Sequence, residues 1–172
     1  MNNFKKAALA SLVLAGMAMG SAQAADPKAS LTWTGEVPGV TAGDTLVITG
    51  VGGVEQIEKG TITANSDGTF TSSSIILEAH TNDGTPEAPV IGALQAATWS
   101  VNSPSISYGG AFDPTYAQNL VVFADGVRVV DTTNLLGAQA ETVSLAVANE
   151  TAVDGVEGEA VQATLTVVAS AI

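Results

Sequence analysis

His80 is the only histidine in the 172-residue chain, and cysteine is absent. Those two counts restrict the chemistry at once: no thiol nucleophile, no cysteine metal cluster and no disulfide framework can form. A serine-based nucleophile needs a base beside it and an acid to orient that base. Ser72, Ser73 and Ser74 precede His80, and Asp83 follows it. Yet His80 stands where an apolar run enters Thr81, Asn82, Asp83 and Gly84, so it is expected at a surface or turn and not beside a nucleophile. One imidazole with carboxylates alone is a poor set of zinc ligands. Residues 65–69 (Asn-Ser-Asp-Gly-Thr) are similar to the opening of a calcium loop. They lack the spaced third acid and the closing Glu, which leaves a plain turn as the expectation. Asp154, Glu157 and Glu159 sit among glycines and read as a solvated loop. A carboxylate pair for glycoside hydrolysis is defined by its separation in space, and an aromatic content of 5% offers little to hold a sugar. Gly52 and Gly53 precede neither Lys-Ser nor Lys-Thr, so they make no phosphate loop. No catalytic constellation, metal site or cofactor is expected.

Charge narrows the partners. Seventeen acidic residues oppose five basic ones, for a formal charge of −12. Nucleic-acid affinity is carried largely by Lys and Arg on phosphates, so a nucleic-acid partner is not expected. The same sign repels anionic headgroups. The length suits one domain with a single core. At 46% hydrophobic and 13% charged, the chain is too apolar for disorder.

The elements that must carry any function read as short strands between turns. Runs rich in Val, Ile, Thr and aromatics cover residues 32–37, 45–49, 60–64, 69–79, 93–101, 120–124, 127–130, 142–148 and 160–170. Asp67-Gly68, Asp83-Gly84, Asp125-Gly126 and Asp154-Gly155 supply turn chemistry between them. Two hairpins stand out, one about Asp125-Gly126 and one about residues 65–69. Pro38, Pro86, Pro89, Pro104 and Pro114 are expected at loops or edges, because a ladder cannot use a residue without N–H. Residues 134–140 have room for one helical turn; no longer helical periodicity is present. The pattern predicts an all-β sandwich.

The amino end is an address. Lys5 and Lys6 precede an apolar run at 7–20, too short to span a bilayer, and small residues at Ala22 and Ala24 follow. Residues 1–24 are expected to be a signal peptide cleaved between Ala24 and Ala25, and the charge of what remains falls to −14 because Lys5 and Lys6 leave with it. Just beyond, Ala29, Leu31, Trp33, Gly35 and Val37 alternate with Ser30, Thr32, Thr34 and Glu36, the signature of a strand with one apolar face. Pro38 ends it. At the far end, Val161, Ala163, Leu165, Val167 and Ala169 form a second alternating row.

Residues 31–38 (Leu-Thr-Trp-Thr-Gly-Glu-Val-Pro), a few positions after an export signal in a cysteine-free β-rich chain, resemble the start of pilin subunits assembled by the chaperone–usher pathway. The likeness is to major subunits of the coli surface antigen fimbriae. It is specific at 31–38; elsewhere it is an order of elements, and residues 78–116 match nothing in the family. The absent cysteine pair departs from the type-1 group. The resemblance implies an immunoglobulin-like β-sandwich, incomplete by one strand and completed by donor-strand exchange. It implies a donor segment at 25–38 with Ala29, Leu31, Trp33, Gly35 and Val37 as the inserted residues, Pro38 as the hinge, and the sandwich at 39–172. The partners it implies are identical or related fimbrial subunits, a periplasmic chaperone, an outer-membrane usher and a host-surface receptor, with the filament on the cell surface. Burying Leu31, Trp33 and Val37 would yield on the order of 1.5–3 kcal/mol per side chain. Two other readings stay open from the residues: 29–37 as the first strand of the subunit's own sandwich, and a monomeric exported module binding carbohydrate or calcium.

Overall fold

The computed structural model describes residues 41–171. The expected leader, the Ala24–Ala25 cleavage site, the alternating residues Ala29, Leu31, Trp33, Gly35 and Val37, and Pro38 all lie outside the described residues.

The described chain is an all-β sandwich of antiparallel strands. The strands are β1 (Thr41–Ala42), β2 (Leu46–Thr49), β3 (Ile62–Ala64), β4 (Phe70–Ser72), β5 (Ile75–Asn82), β6 (Ile91–Leu94) and β7 (Thr98–Tyr108). After them come β8 (Ala111–Phe112), a helical turn α1 (Pro114–Ala117), β9 (Leu120–Ala124), β10 (Val127–Arg128), β11 (Thr142–Asn149) and β12 (Val161–Ser170). One sheet has nine strands along the path β1-β2-β5-β11-β4-β3, with β6 on β5 and the β9–β10 hairpin on β11; the other is β12-β7-β8. Between the sheets, Leu46, Ile48, Leu77, Ala79, Val122, Ala124, Val143 and Leu145 pack against Ala97, Trp99 and Val101. A second cluster of Phe70, Ile106, Tyr108 and Val161 fills the other end.

Both expected hairpins form. Val127 lies opposite Ala124, and Asp125 and Gly126 both take positive φ (50° and 77°), the type I′ geometry whose twist matches the flanking strands. β3 and β4 pair across residues 65–69, with Ala64 opposite Phe70.

Several boundaries differ from the sequence reading. The run 69–79 is two strands in one line: Thr71 pairs with Ala148 and Ile75 with Leu145. The line therefore carries one extra residue at the break, and Ser72 Oγ accepts from Val147 N there at 2.9 Å. The run 93–101 divides into β6 and β7. β7 continues through Pro104, which sits inside a strand and not at a loop or edge. Its missing N–H is absorbed by a bulge: Ser103 and Pro104 oppose Leu165 alone, between the pairs Asn102–Thr166 and Ser105–Thr164, with Ser103 at φ 50°. The strand after Asp125-Gly126 ends at Arg128, short of Val130. Residues 134–140 form turns. The helical turn of the described residues is α1, where Asp113 caps by accepting from Thr115 N and Pro114 opens the first turn.

Candidate functional site

β12 is a long strand with one strand partner among the described residues. From Thr164 to Ser170 its only strand partner among the described residues is β7. Its core-facing residues Ala163, Leu165, Val167 and Ala169 are half-buried, whereas Trp99, Val101, Ile106 and Tyr108 on β7 are buried. Opposite this row, in the larger sheet, β2 and β3 lie end to end along one edge of the β4–β5 line: Leu46 to Thr49 face Thr81 to Glu78, and Ile62 to Ala64 face Ser72 to Phe70. Ile57 and Ile75, also half-buried, pack against the core beside the stretch that β2 and β3 leave between them. At the far end of β12, Ala171 borders a surface depression with Thr45, Leu46, Thr81 and Gln95. Among the described residues, the half-buried apolar row of β12 therefore lies across from an interrupted sheet edge. Edges of this length are ordinarily blunted with charge or proline; the residues from Thr164 to Ser170 include neither.

The residues considered for chemistry are placed as follows. His80 is neither at the surface nor in a turn: β5 runs on to Asn82 and His80 is 7% exposed. Its Nδ1 lies 3.0 Å from the Gly92 carbonyl and its Nε2 lies 3.1 Å from Glu78 Oε2. The Gly53 N–H donates to the same Glu78 oxygen at 3.0 Å. This pair ties the glycine turn and β6 to β5, where His80 and Glu78 lie opposite the fully buried Val47 and Thr49. The backbone N–H groups of Gly52 and Gly53, with His80, hold the Glu78 carboxyl below its ordinary value against the opposing effect of burial. The hydroxyls of Ser72 and Ser73 are engaged with backbone groups, and both ring nitrogens of His80 are occupied, so these residues do not assemble a triad.

Residues 65–69 close on themselves. Asp67 Oδ1 accepts from Thr69 Oγ1 at 2.7 Å and Thr69 N at 3.0 Å, which lowers its carboxyl pKa. Asp113 with Thr115 and Asp131 with Thr133 repeat the device and are lowered for the same reason. Asp154, Glu157 and Glu159 are exposed. Among the described residues no three His, Asp or Glu side chains come together as a metal site. A buried polar knot fastens the turn instead. Tyr108 Oη donates to the Gly68 carbonyl and accepts from Asn149 Nδ2 at 2.9 Å; burial raises the Tyr108 pKa.

Compared with known proteins, the chain matches no family model and no curated protein.

The sequence marked β12 as an alternating strand, but not that its inner row would stay half-covered. Exposure of a core-facing residue depends on which strand lies beside it, and pairing order is not written in a strand's own pattern. The Glu78–His80 clamp was likewise missed. Its one signal was the i, i+2 spacing, which puts both side chains on the same face of a strand.

Proposed function

We propose that this chain is an exported structural subunit that builds a surface filament by exchange of strands between copies. More particularly, it is a fimbrial subunit of the chaperone–usher type, with the cysteine-free character of coli surface antigen pilins. The observation that carries the reading is the half-covered apolar row Ala163, Leu165, Val167 and Ala169 on a long strand edge. In this reading the sandwich is immunoglobulin-like and one strand short. The alternating segment 29–37 of a neighbouring copy completes it, with Leu31, Trp33 and Val37 packing on that row and Gly35 leaving room where a side chain would not fit. Backbone N–H and C=O groups of that segment pair with the open edge, so main-chain hydrogen bonds give affinity and the apolar row gives register. A periplasmic chaperone shields the edge before assembly, an usher delivers the subunit, and the filament supports adhesion.

The test is to express the exported chain with Leu31→Asp and Trp33→Asp and examine the cell surface by electron microscopy. The expected result is folded subunit in the periplasm and loss of filaments. Filaments at undiminished density would overturn the reading.

A further inference from the structure

We propose, independently of the filament reading, that the Glu78–His80 clamp is a proton-operated latch. His80 is held as an imidazolium, and loss of its second proton frees the 50–54 turn and β6 from β5. The geometry leaves the ring little choice. Its Nδ1 lies 3.0 Å from the Gly92 carbonyl and its Nε2 lies 3.1 Å from Glu78 Oε2. A neutral imidazole has one N–H, so whichever nitrogen kept it, the other would turn a lone pair on an oxygen. Only the imidazolium donates to both. Glu78 Oε2 also accepts from Gly53 N, as an ionised carboxylate does readily. The side chains of His80 and Glu78 are only 9% and 12% exposed, so the pair is shielded from water.

Both tied segments are lightly held otherwise. β6 pairs with β5 at Leu94–His80 and Ile91–Asn82, with a register shift between them. Gly92 and Ala93 oppose Thr81 alone there, and the Gly92 carbonyl of this bulge is the one that takes His80 Nδ1. The 50–54 turn closes through the Gly50–Val54 bridge and lies against the ring: a Cβ built on Gly53 would stand 3.7 Å from His80 Cε1. The charges about the pair are few. β2, the 50–54 turn, β6 and β11 carry no acidic, basic or histidine residue, and β5 carries Glu78 and His80 alone. The acids that flank these elements, Glu55, Asp83 and Glu141, are exposed. Asp83 accepts from Thr81 Oγ1 at 3.1 Å, and its other carboxylate oxygen lies close to Gly92. The latch is therefore closed while Glu78 is ionised and His80 carries two protons. As pH falls, Glu78 takes up a proton. As pH rises, His80 gives one to solvent, and its remaining N–H serves Gly92 or Glu78 but not both.

His80 is the only histidine, so the ring nitrogens of the full chain give a single set of NMR signals to follow from acid to alkaline pH. Amide protection factors are read over the same range at 50–54, at 91–94 and, as a reference, at 99–101 of β7. Both ring nitrogens are expected to stay protonated wherever the first two segments are protected. Protection at 50–54 and 91–94 should then fall together as the second proton leaves, while β7 holds. A bare ring nitrogen while both segments stay protected would overturn the latch. So would release of one segment alone, or loss of protection in β7 at the same pH. His80→Gln keeps an uncharged donor for one acceptor only. Protection in both segments is expected to fall roughly tenfold or more, with no further alkaline step. Unchanged protection would overturn the proposal, and if this variant does not fold, the titration of the unsubstituted chain decides by itself.

Discussion

β7 and β12 are partners in one sheet, yet they are held in opposite ways. β7 has β12 along one edge, and its other edge receives β8 and backbone bonds from the 132–140 segment: Val101 N to Thr132 O, Leu135 N to Trp99 O and the Ala97–Ala140 pair. Trp99 is fully buried and its Nε1–H donates to the Ala140 carbonyl at 2.9 Å. β12 carries the same alternation of apolar residues, with half the cover. The comparison teaches that an alternating strand obtains its burial from its neighbours, and that the same alternation gives full or half cover according to which strands lie beside it.

The largest expected effect is on the well-held strand. Trp99→Ala removes a fully buried indole together with its hydrogen bond, and should cost about 3–5 kcal/mol in urea unfolding. A loss below about 1 kcal/mol would mean that β7 is not the anchored member. Tyr108→Phe, at the other end of β7, removes the hydroxyl that bonds both Asn149 and the Gly68 carbonyl, which keep their direct bond to each other. The expected cost is about 0.5–1.5 kcal/mol, with faster amide exchange at residues 65–69. Val167→Ala on β12 should cost about 1 kcal/mol or less, because the side chain loses only part of a burial already incomplete. A cost equal to that of Trp99→Ala would erase the contrast.

The smallest effect concerns pH. The Glu78 carboxyl sits below its ordinary 4.5 in the fold, so the unfolded chain takes up its proton first as pH falls. The stability it contributes is complete above about 4.5 and is lost as pH drops through the folded value. Wild type should therefore lose more stability than Glu78→Gln between neutral pH and the acid side of 4.5. Parallel curves would show that the clamp is not ionised.

Local patterns carried much of this architecture. Asp125-Gly126 states its turn outright, because few other dipeptides accept two left-handed positions, and the rows of β11 and β12 are legible from period two alone. What failed needed tertiary information. Pro104 stays in a strand because one bulge residue, Ser103, takes the strain. His80 is buried because a glycine turn from elsewhere in the chain folds over it, and nothing beside His80 in sequence announces that. The half-buried row of β12 follows from pairing order among the described residues, which a strand's own alternation does not state.

The most direct measurement uses a peptide with the sequence of residues 29–37, added to the full chain carrying Trp33→Asp so that its own segment cannot compete. Hydrogen exchange along β12 is read with and without the peptide. The account predicts that amides within 164–170 slow as the peptide saturates the edge, while those of β7 do not change. Unaltered exchange along β12 at saturating peptide would contradict it.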